Sequence, residues 1–358
     1  MGTISDKLMR IINTKEDIRQ ALISKGYDVP TSIPFKEYAK MILDLPCNAD
    51  SFPDIEGIVA RYSASDLTNE QMATNPVWVD KTGNGHDIQL KNFSWKGMSG
   101  VGGYVGDFSK WVNNRDTTEI GITKSNSKVI IDVKVSQGSG KNIVFISKSN
   151  LGISNNVTIK ITSTYPEGVM KFANSASNKY LKLPSNGIIT LQDNPEYTSN
   201  EMHLHLASAD LGQITIEQLP LYPGALVFDG VDDYGVCDNF PIPTKEKGYT
   251  VVVLRQWITR GKGALGLVSN VKDWLHDGAF LLEYRNIQAD HLNKPISFGA
   301  IGSEMDLPHI LTYQTSKSYN GVSITTGNFE GTDVLHVGKL APTNVGTCIN
   351  TAIWELVF

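Results

Sequence analysis

The chain has 358 residues, which exceeds a typical domain of about 100 to 200 residues and predicts two or three folding units. Its hydrophobic content of 41% and charged content of 19% are typical of a globular protein, and its 32 glycines indicate many tight turns and favour β structure. The net charge of -5, with Lys and Arg scattered along the chain, argues against a nucleic-acid-binding face.

The three cysteines, Cys47, Cys237 and Cys348, are far apart and odd in number. We therefore expect reduced thiols rather than a secreted disulfide framework. The N-terminal residues lack the apolar core of a signal peptide, and no stretch approaches the ~18 apolar residues of a membrane span. These features predict a protein that folds in a cytoplasm and does not cross a membrane.

Residues 1–46 have a helical pattern, because apolar residues recur at spacings of three, four or seven in an otherwise charged stretch. These residues are Ile4, Leu8, Ile11, Ile18 and Leu22. A short helical hairpin buries little surface by itself, so we predict that this segment serves attachment to another protein or oligomerisation. The alternative is that it packs on its own β domain.

A linker is predicted at 47–56, where two prolines flank small polar residues. Beyond it no segment has a convincing helical pattern, and short strand-like runs follow one another. Residues 128–135 and 157–162 alternate apolar with polar side chains, which is typical of half-buried antiparallel strands in a sandwich. The runs lie at 58–62, 128–135, 142–147, 157–163, 187–191, 213–219, 225–228, 249–258, 279–284, 310–315, 322–326 and 351–358.

Two turn motifs carry a resemblance to a known family. The first is DKTGNGH at 80–86, after an opening strand, and the second is FDGVDDY at 228–234. Together they resemble the turns of concanavalin A-like lectin/glucanase domains of the laminin G type. Asp-Gly and Asp-Asp pairs favour local hydrogen bonds to the backbone, so the second motif is also a physical turn signal.

The resemblance covers 57–100 and 221–358 and implies one lectin-like domain made from both segments. The stretch 101–220 is long enough for a domain and has its own strand pattern, so we predict an inserted second β-sandwich. The predicted fold class is mainly β, with a short N-terminal helical segment followed by a concanavalin A-like β-sandwich (jelly roll) that a second β-sandwich interrupts.

The helical leader before an interrupted lectin-like fold resembles fibre and appendage proteins of tailed bacteriophages of gut Bacteroidales, the crAss-like phage type. This resemblance implies a non-enzymatic virion protein, a head (capsid) fibre or tail fibre, assembled in the bacterial host cytoplasm. It also implies attachment to other virion proteins through the N-terminus, a homotrimer, and binding of host-surface polysaccharide. A bacterial surface lectin is a further alternative, but it requires an export signal that the sequence lacks.

A polysaccharide-degrading enzyme on the same fold is the main alternative. Glucanases on this sandwich carry Glu-x-Asp-x-Glu, which places the catalytic carboxylates on one strand face. The nearest match is Glu304-Met305-Asp306, and Pro308 and His309 stand where the third carboxylate would fall. We therefore interpret this segment as a polar loop and predict no catalytic residues.

Two kinds of binding site remain as hypotheses. The resemblance implies that Asp, Asn and Asp-pair oxygens of the two motifs could bind calcium, although turn structure alone accounts for the same residue types. Glycan binding uses exposed aromatic rings, and two tryptophans stand in loop-like sequence beside polar residues. The calcium candidates are Asp80, Asn84, Asp229, Asp232 and Asp233, and the glycan candidates are Trp95 and Trp274. No other cofactor is predicted.

Overall fold

The structure is a computed structural model of the chain. It describes residues 15–16, 18–20, 23, 29–30, 56–105, 108–110, 112–113, 120–135, 139–146, 158–165, 170–174, 180–190, 202–208, 211–242, 248–259, 265–270, 281–284, 310–315, 318–319, 322–323, 332–339 and 348–358. The backbone separates into two compact units, Met1–Asp54 and Ile55–Phe358.

The first unit is helical where it is described between residues 15 and 23. Glu16 accepts hydrogen bonds from the Arg19 guanidinium at 2.8 Å and from the Gln20 side-chain amide at 2.7 Å. These partners lie three and four residues apart, the spacing that brings helical side chains together. Arg19 also donates to the carbonyl of the buried Val29 at 2.8 Å, which holds the chain after the helix against it.

The second unit is built from antiparallel strands. Twenty-four strands lie in the described residues: β1 (Arg61–Ser63), β2 (Val77–Trp78), β3 (Ile88–Lys91), β4 (Gly100–Val101), β5 (Val112–Asn113), β6 (Ile120–Lys124), β7 (Lys128–Val133), β8 (Ser139–Ile146), β9 (Thr158–Ser163), β10 (Met170–Asn174), β11 (Tyr180–Lys182), β12 (Asn186–Thr190), β13 (Met202–Ser208), β14 (Gly212–Gln218), β15 (Leu226–Asp229), β16 (Tyr234–Cys237), β17 (Thr250–Trp257), β18 (Leu265–Ser269), β19 (Leu281–Tyr284), β20 (Ile310–Thr315), β21 (Ser318–Tyr319), β22 (Val322–Ser323), β23 (Leu335–Val337) and β24 (Asn350–Val357).

One short helix, α1 (Asn69–Thr74), interrupts this pattern, although the sequence predicted no helix beyond the linker. The Thr68 hydroxyl caps it by accepting the backbone N–H of Gln71 at 3.3 Å. The helix has six residues, and Met72 is the one that is buried. Such a segment has no apolar periodicity from which the sequence could predict a helix. A single 3-10 turn also forms at Phe108–Lys110.

An eight-stranded sheet runs in the order β22, β21, β20, β17, β24, β15, β4, with β1 also beside β24. Strand β24 is central to it. One side of β24 pairs with β17 along its length, and the other side pairs with β15 near Ile353 and with β1 near Val357. The last strand in chain order therefore connects strands from the beginning and the middle of the chain.

A six-stranded sheet runs in the order β19, β18, β23, β16, β3, β2. Side chains of both sheets share one buried core, which identifies the pair as a β-sandwich. Tyr62 of β1 and Trp78 of β2 meet at a ring-centroid distance of 5.6 Å, and the Trp78 indole donates to the Ser63 carbonyl at 2.8 Å. Both rings are fully buried, so this contact links the two sheets near their first strands.

Two five-stranded sheets use only strands between 112 and 218. One runs β11, β10, β13, β8, β5 and the other β12, β9, β14, β7, β6. In the second of these, Val129, Ile131 and Val133 of β7 are buried and the residues between them are half-exposed, as the sequence alternation predicted. Ile159 and Ile161 of β9 are buried in the same alternating way.

The chain leaves and re-enters the sandwich at one place. The N–H of Tyr222 donates to the carbonyl of Gly102 at 2.8 Å, and the N–H of Leu221 donates to Gly103 at 2.9 Å. Gly102 in turn donates to the carbonyl of Ala225 at 2.8 Å. The two segments that flank the 112–218 strand region are thus hydrogen-bonded to each other.

The predicted fold class is confirmed: the chain is mainly β, with several antiparallel sheets. The predicted domain bounds at 46, 56, 100 and 220 stay predictions. No helix in the described part of the chain is long and apolar enough to cross a membrane.

Candidate functional site

The first motif turn is organised around the carboxylate of Asp80, which is only 4% exposed. It accepts the N–H of Arg61 at 3.0 Å, the N–H of Thr82 at 3.0 Å and the N–H of His86 at 3.3 Å. The Thr82 hydroxyl adds a bond of 2.8 Å. Asp80 therefore joins strand β1 to the turn and satisfies backbone donors that the turn leaves without strand partners.

Asn84 lies at the exposed tip of the same turn. Its side-chain amide donates to the carbonyl of Val59 at 2.8 Å, and its backbone N–H donates to the Thr82 hydroxyl at 3.2 Å. Both contacts fix the turn against the residues just before β1. The Asn84 amide nitrogen is therefore committed to a structural contact.

The second motif turn brings three carboxylates together. Carboxylate oxygens of Asp229, Asp232 and Asp233 lie within 4.8 Å of one another. Asp232 is exposed, Asp229 is half-buried, and Asp233 is fully buried. Asp233 accepts the N–H of Asp229 at 3.0 Å on one oxygen and the Ser99 hydroxyl at 2.9 Å on the other.

The pKa of Asp233 is raised to about 7, chiefly by burial, and the neighbouring charges of Asp229 and Asp232 act in the same direction. The hydrogen bonds from the Asp229 amide and from Ser99 act in the opposite direction. A carboxyl group with this pKa could serve as a general acid near neutral pH. Asp233, however, has no exposed surface and both its oxygens have protein donors, so it cannot touch a substrate.

A group of three carboxylates is the kind of oxygen ligand set that calcium prefers. The cluster is formed by Asp229, Asp232 and Asp233 and does not include Asp80, which belongs to the other turn. One Asp229 oxygen also accepts the N–H of Val231 at 2.7 Å. These contacts support turn structure as one role of the cluster, and calcium binding stays a prediction.

A third loop packs beside this acidic turn. The Asn92 side-chain amide donates to the carbonyl of Asp232 at 3.1 Å, and the N–H of Ser94 donates to the same Ser99 hydroxyl that bonds Asp233. Asn92 and Trp95 have positive φ values of 67° and 56°. Residues other than glycine rarely adopt this conformation, and such strain is concentrated at functional sites.

The ring of Trp95 stacks on Phe93 at a centroid distance of 4.8 Å and an interplanar angle of 16°. Phe93 in turn meets the buried Phe228 edge-on at 5.1 Å. Trp95 is half-buried, so its ring is anchored to the core while part of it faces solvent. We call residues 92–99 and 229–233 the rim loops, and they form the candidate site.

The other predicted site residues are distributed as follows. Ile18 is helical and half-buried. Trp78 and Trp257 are buried in the sandwich core. The remaining predictions fall outside the described residues: Ile4, Leu8, Ile11, Leu22, Trp274, Glu304 and Asp306.

Sequence reasoning missed several buried polar residues, among them Ser99 of the rim loops and the pair Arg255 and His336. Arg255 is fully buried beside Trp257, with its guanidinium carbon 4.3 Å from the ring centroid. The sequence does indicate that Arg255 is buried, because in β17 it lies on the same alternating face as Val251 and Val253. His336, the other, lies in a three-residue strand that sequence reasoning did not predict.

Comparison with known proteins gives no relative: no protein-family model, no curated protein and no solved structure matches this chain.

Proposed function

We propose that the chain is a non-enzymatic structural protein of a bacteriophage particle, a head or tail fibre. Its N-terminal helical segment attaches to other virion proteins and supports a homotrimer. Its β-sandwich is presented outward and binds polysaccharide of the host surface through the rim loops. The alternative, a polysaccharide-degrading enzyme, rests on Glu304 and Asp306, and no described residue adds support to it.

The observation that carries this proposal is the contact between the second motif turn and the aromatic loop. The motifs on which the family resemblance rests are distant in sequence, yet both contribute buried aspartates to the same sandwich. The second motif also supports the loop of Trp95 through Ser99 and Asn92. A fixed aromatic ring beside hydrogen-bonding carboxylates is the usual composition of a sugar-binding surface.

The rim loops can be tested by glycan-array binding of the full chain and of Trp95→Ala. We expect binding to fall about tenfold, because a stacked ring contributes about 1 kcal/mol or more to association. Trp354→Ala is the matched control, since Trp354 is also half-buried but packs with Tyr222 on the outer face of the eight-stranded sheet. Equal binding by both variants, or hydrolysis of a bound glycan, would contradict the proposal.

The assembly role can be tested by light scattering of the full chain and of a version without residues 1–46. A trimer that dissociates on truncation supports attachment and assembly through the leader. Two monomers would contradict the trimer and would leave the leader as a docking segment for another protein.

A further inference from the structure

His336 is a buried histidine whose imidazole makes no hydrogen bond to the described residues. It is 3% exposed, and neither ring nitrogen has a hydrogen-bond partner among the described residues. Its neighbours in β23, Leu335 and Val337, belong to the sandwich core. Because side chains alternate along a strand, the imidazole lies on the opposite face of the six-stranded sheet. Buried polar groups are normally paired, so this arrangement calls for an explanation.

Strand β23 lies in the middle of its sheet and pairs with β18 over a short stretch. It joins β19 and β18 on one side to β16, β3 and β2 on the other. Among the described residues, two residue pairs, Val268–Val337 and Ser269–His336, hold β23 to β18, and the Thr332 hydroxyl also donates to the carbonyl of Asn270 at 3.2 Å. One backbone bond flanks them at each end, from Gly338 to Leu267 at 2.9 Å and from Thr332 to Asn270 at 3.0 Å. The described backbone contacts between β23 and β18 are thus confined to a short stretch.

The surroundings of His336 disfavour its charged form. The pKa of His336 is lowered to about 4, chiefly by burial; the ammonium group of Lys339 acts in the same direction, and Asp238 opposes both. Lys339 is held 4.5 Å above the ring of Tyr234 in β16. The other titratable side chain of β16, Cys237, is in the core, and β18 has none. No carboxylate in the described part of the chain hydrogen-bonds the imidazole.

We propose that His336 is an acid-sensitive joint of the sandwich: protonation of its imidazole makes β23 separate from its neighbours, starting at β18, and exposes the core. A neutral imidazole is tolerated in the closed sheet, whereas an imidazolium there is shielded from water and, in the described part of the chain, has no carboxylate bonded to it. Opening returns the ring to water. The proton thus acts as a ligand of the open state and shifts the population toward it. This inference does not depend on the proposed function.

The joint can be tested through Cys237, which is 2% exposed in the core and faces Leu335 of β23 in register. The test uses the full chain with the substitutions Cys47→Ser and Cys348→Ser, so that Cys237 is the remaining thiol. The rate at which this thiol reacts with 4,4′-dithiodipyridine is measured between about pH 7 and about pH 4.5. Rates are divided by those of a free cysteine at the same pH. We expect the corrected rate to rise by up to about tenfold per pH unit below about 6.5.

Replacing the imidazole should abolish this rise. His336→Gln keeps a polar side chain, and His336→Leu removes the polar group, so two variants guard against a failure to fold. His86→Gln is the control, because His86 is a partly exposed histidine of the first motif turn. A pH dependence that persists in both His336 variants, or a corrected rate that is flat in the parent chain, overturns the proposal.

Hydrogen–deuterium exchange of the unmodified chain gives a second measurement. After correction for the intrinsic effect of pH, exchange should accelerate in peptides that cover β18 and β23 and stay constant in peptides that cover β7. Uniform acceleration in both places would mean global unfolding and would overturn a local joint. Constant exchange in both places would overturn it as well.

Discussion

At the scale of single residues, the buried carboxylate of Asp233 links folding to pH. An unfolded aspartate has a pKa near 3.9, and burial raises the pKa of Asp233 to about 7 in the folded chain. The folded state therefore holds a proton that the unfolded state has released. The free energy of unfolding falls as pH rises from about 4 to about 7, by up to ~1.4 kcal/mol per pH unit.

Asp233→Asn removes this contribution. Relative to the parent chain, we expect the variant to gain stability steadily as pH rises from about 4 to about 7, in urea unfolding monitored by fluorescence. Asp232→Asn is the control, because that carboxylate is exposed and its removal should leave most of the dependence. A difference between Asp233→Asn and the parent that does not change with pH would count against the assignment.

Gly230 is a residue for which backbone conformation and space both require glycine. Its φ is +79°, and an added Cβ would lie 2.8 Å from the Cβ and 3.1 Å from the backbone nitrogen of Asn350. We expect Gly230→Ala to lower the free energy of unfolding by about 2 to 3 kcal/mol. Gly83 separates the two causes, because its φ is +78° with open space around it, so Gly83→Ala should cost only about 1 kcal/mol. Equal losses would show that the contact with Asn350 is unimportant.

Residue-level reasoning from the sequence located the turns but not their partners. The Asp-Gly and Asp-Asp signals of the second motif predict a turn, and the turn is present at Asp229–Asp233. The bond from Ser99 to Asp233 spans 134 positions, and the contact of Asn92 with Asp232 spans 140. No local pattern encodes such pairs, because they depend on which strands become neighbours.

At the scale of elements, alternation was the most reliable signal. The run predicted at 310–315 coincides with β20, and those at 128–135 and 213–219 match β7 and β14 to within two residues. Longer strands such as β6 and β10 were also missed, and so were elements of two or three residues, such as β2, β4 and β23. They are too short to show a period, and only pairing with neighbouring strands defines them.

The central position of β24 predicts where the sheet is most sensitive. Leu356→Ala should lower the free energy of unfolding by about 2 to 5 kcal/mol, because its side chain is fully buried in the shared core. Leu311→Ala is the same change in β20 of the same sheet, but Leu311 is 56% exposed, so we expect a change within ~0.5 kcal/mol. Chemical denaturation of both variants measures the contrast, and losses of similar size would contradict it.

At the scale of the whole molecule, the hydrogen bonds between Gly102–Gly103 and Leu221–Tyr222 predict that the strands between them are separable. A chain in which a short Gly-Ser linker replaces residues 106–219 should keep a cooperatively unfolding sandwich, because its ends are already joined. Near-ultraviolet circular dichroism and thermal unfolding provide the measurement. Loss of the near-ultraviolet signal would show that the sandwich requires the intervening strands.

The class of the whole molecule could be predicted from the sequence, and its function could be predicted only through resemblance. Glycine content and alternation suffice for a mainly β chain, since both are local properties. The sharing of one core by the eight-stranded and six-stranded sheets is set by contacts between distant segments. The domain bounds and the phage-fibre role accordingly stay predictions.

The position of β24 in the chain also determines when the eight-stranded sheet can be completed during synthesis. Ribosomes release the chain in order, so β1, β15 and β17 emerge while the strand that joins all three is still missing. In the described part of the chain, the strands between 112 and 218 pair only with one another and can be complete long before that moment. In a nascent chain the sheets between 112 and 218 would thus be folded while the sandwich stays incomplete until β24 is synthesised. During that interval its exposed apolar strands would be substrates for chaperones.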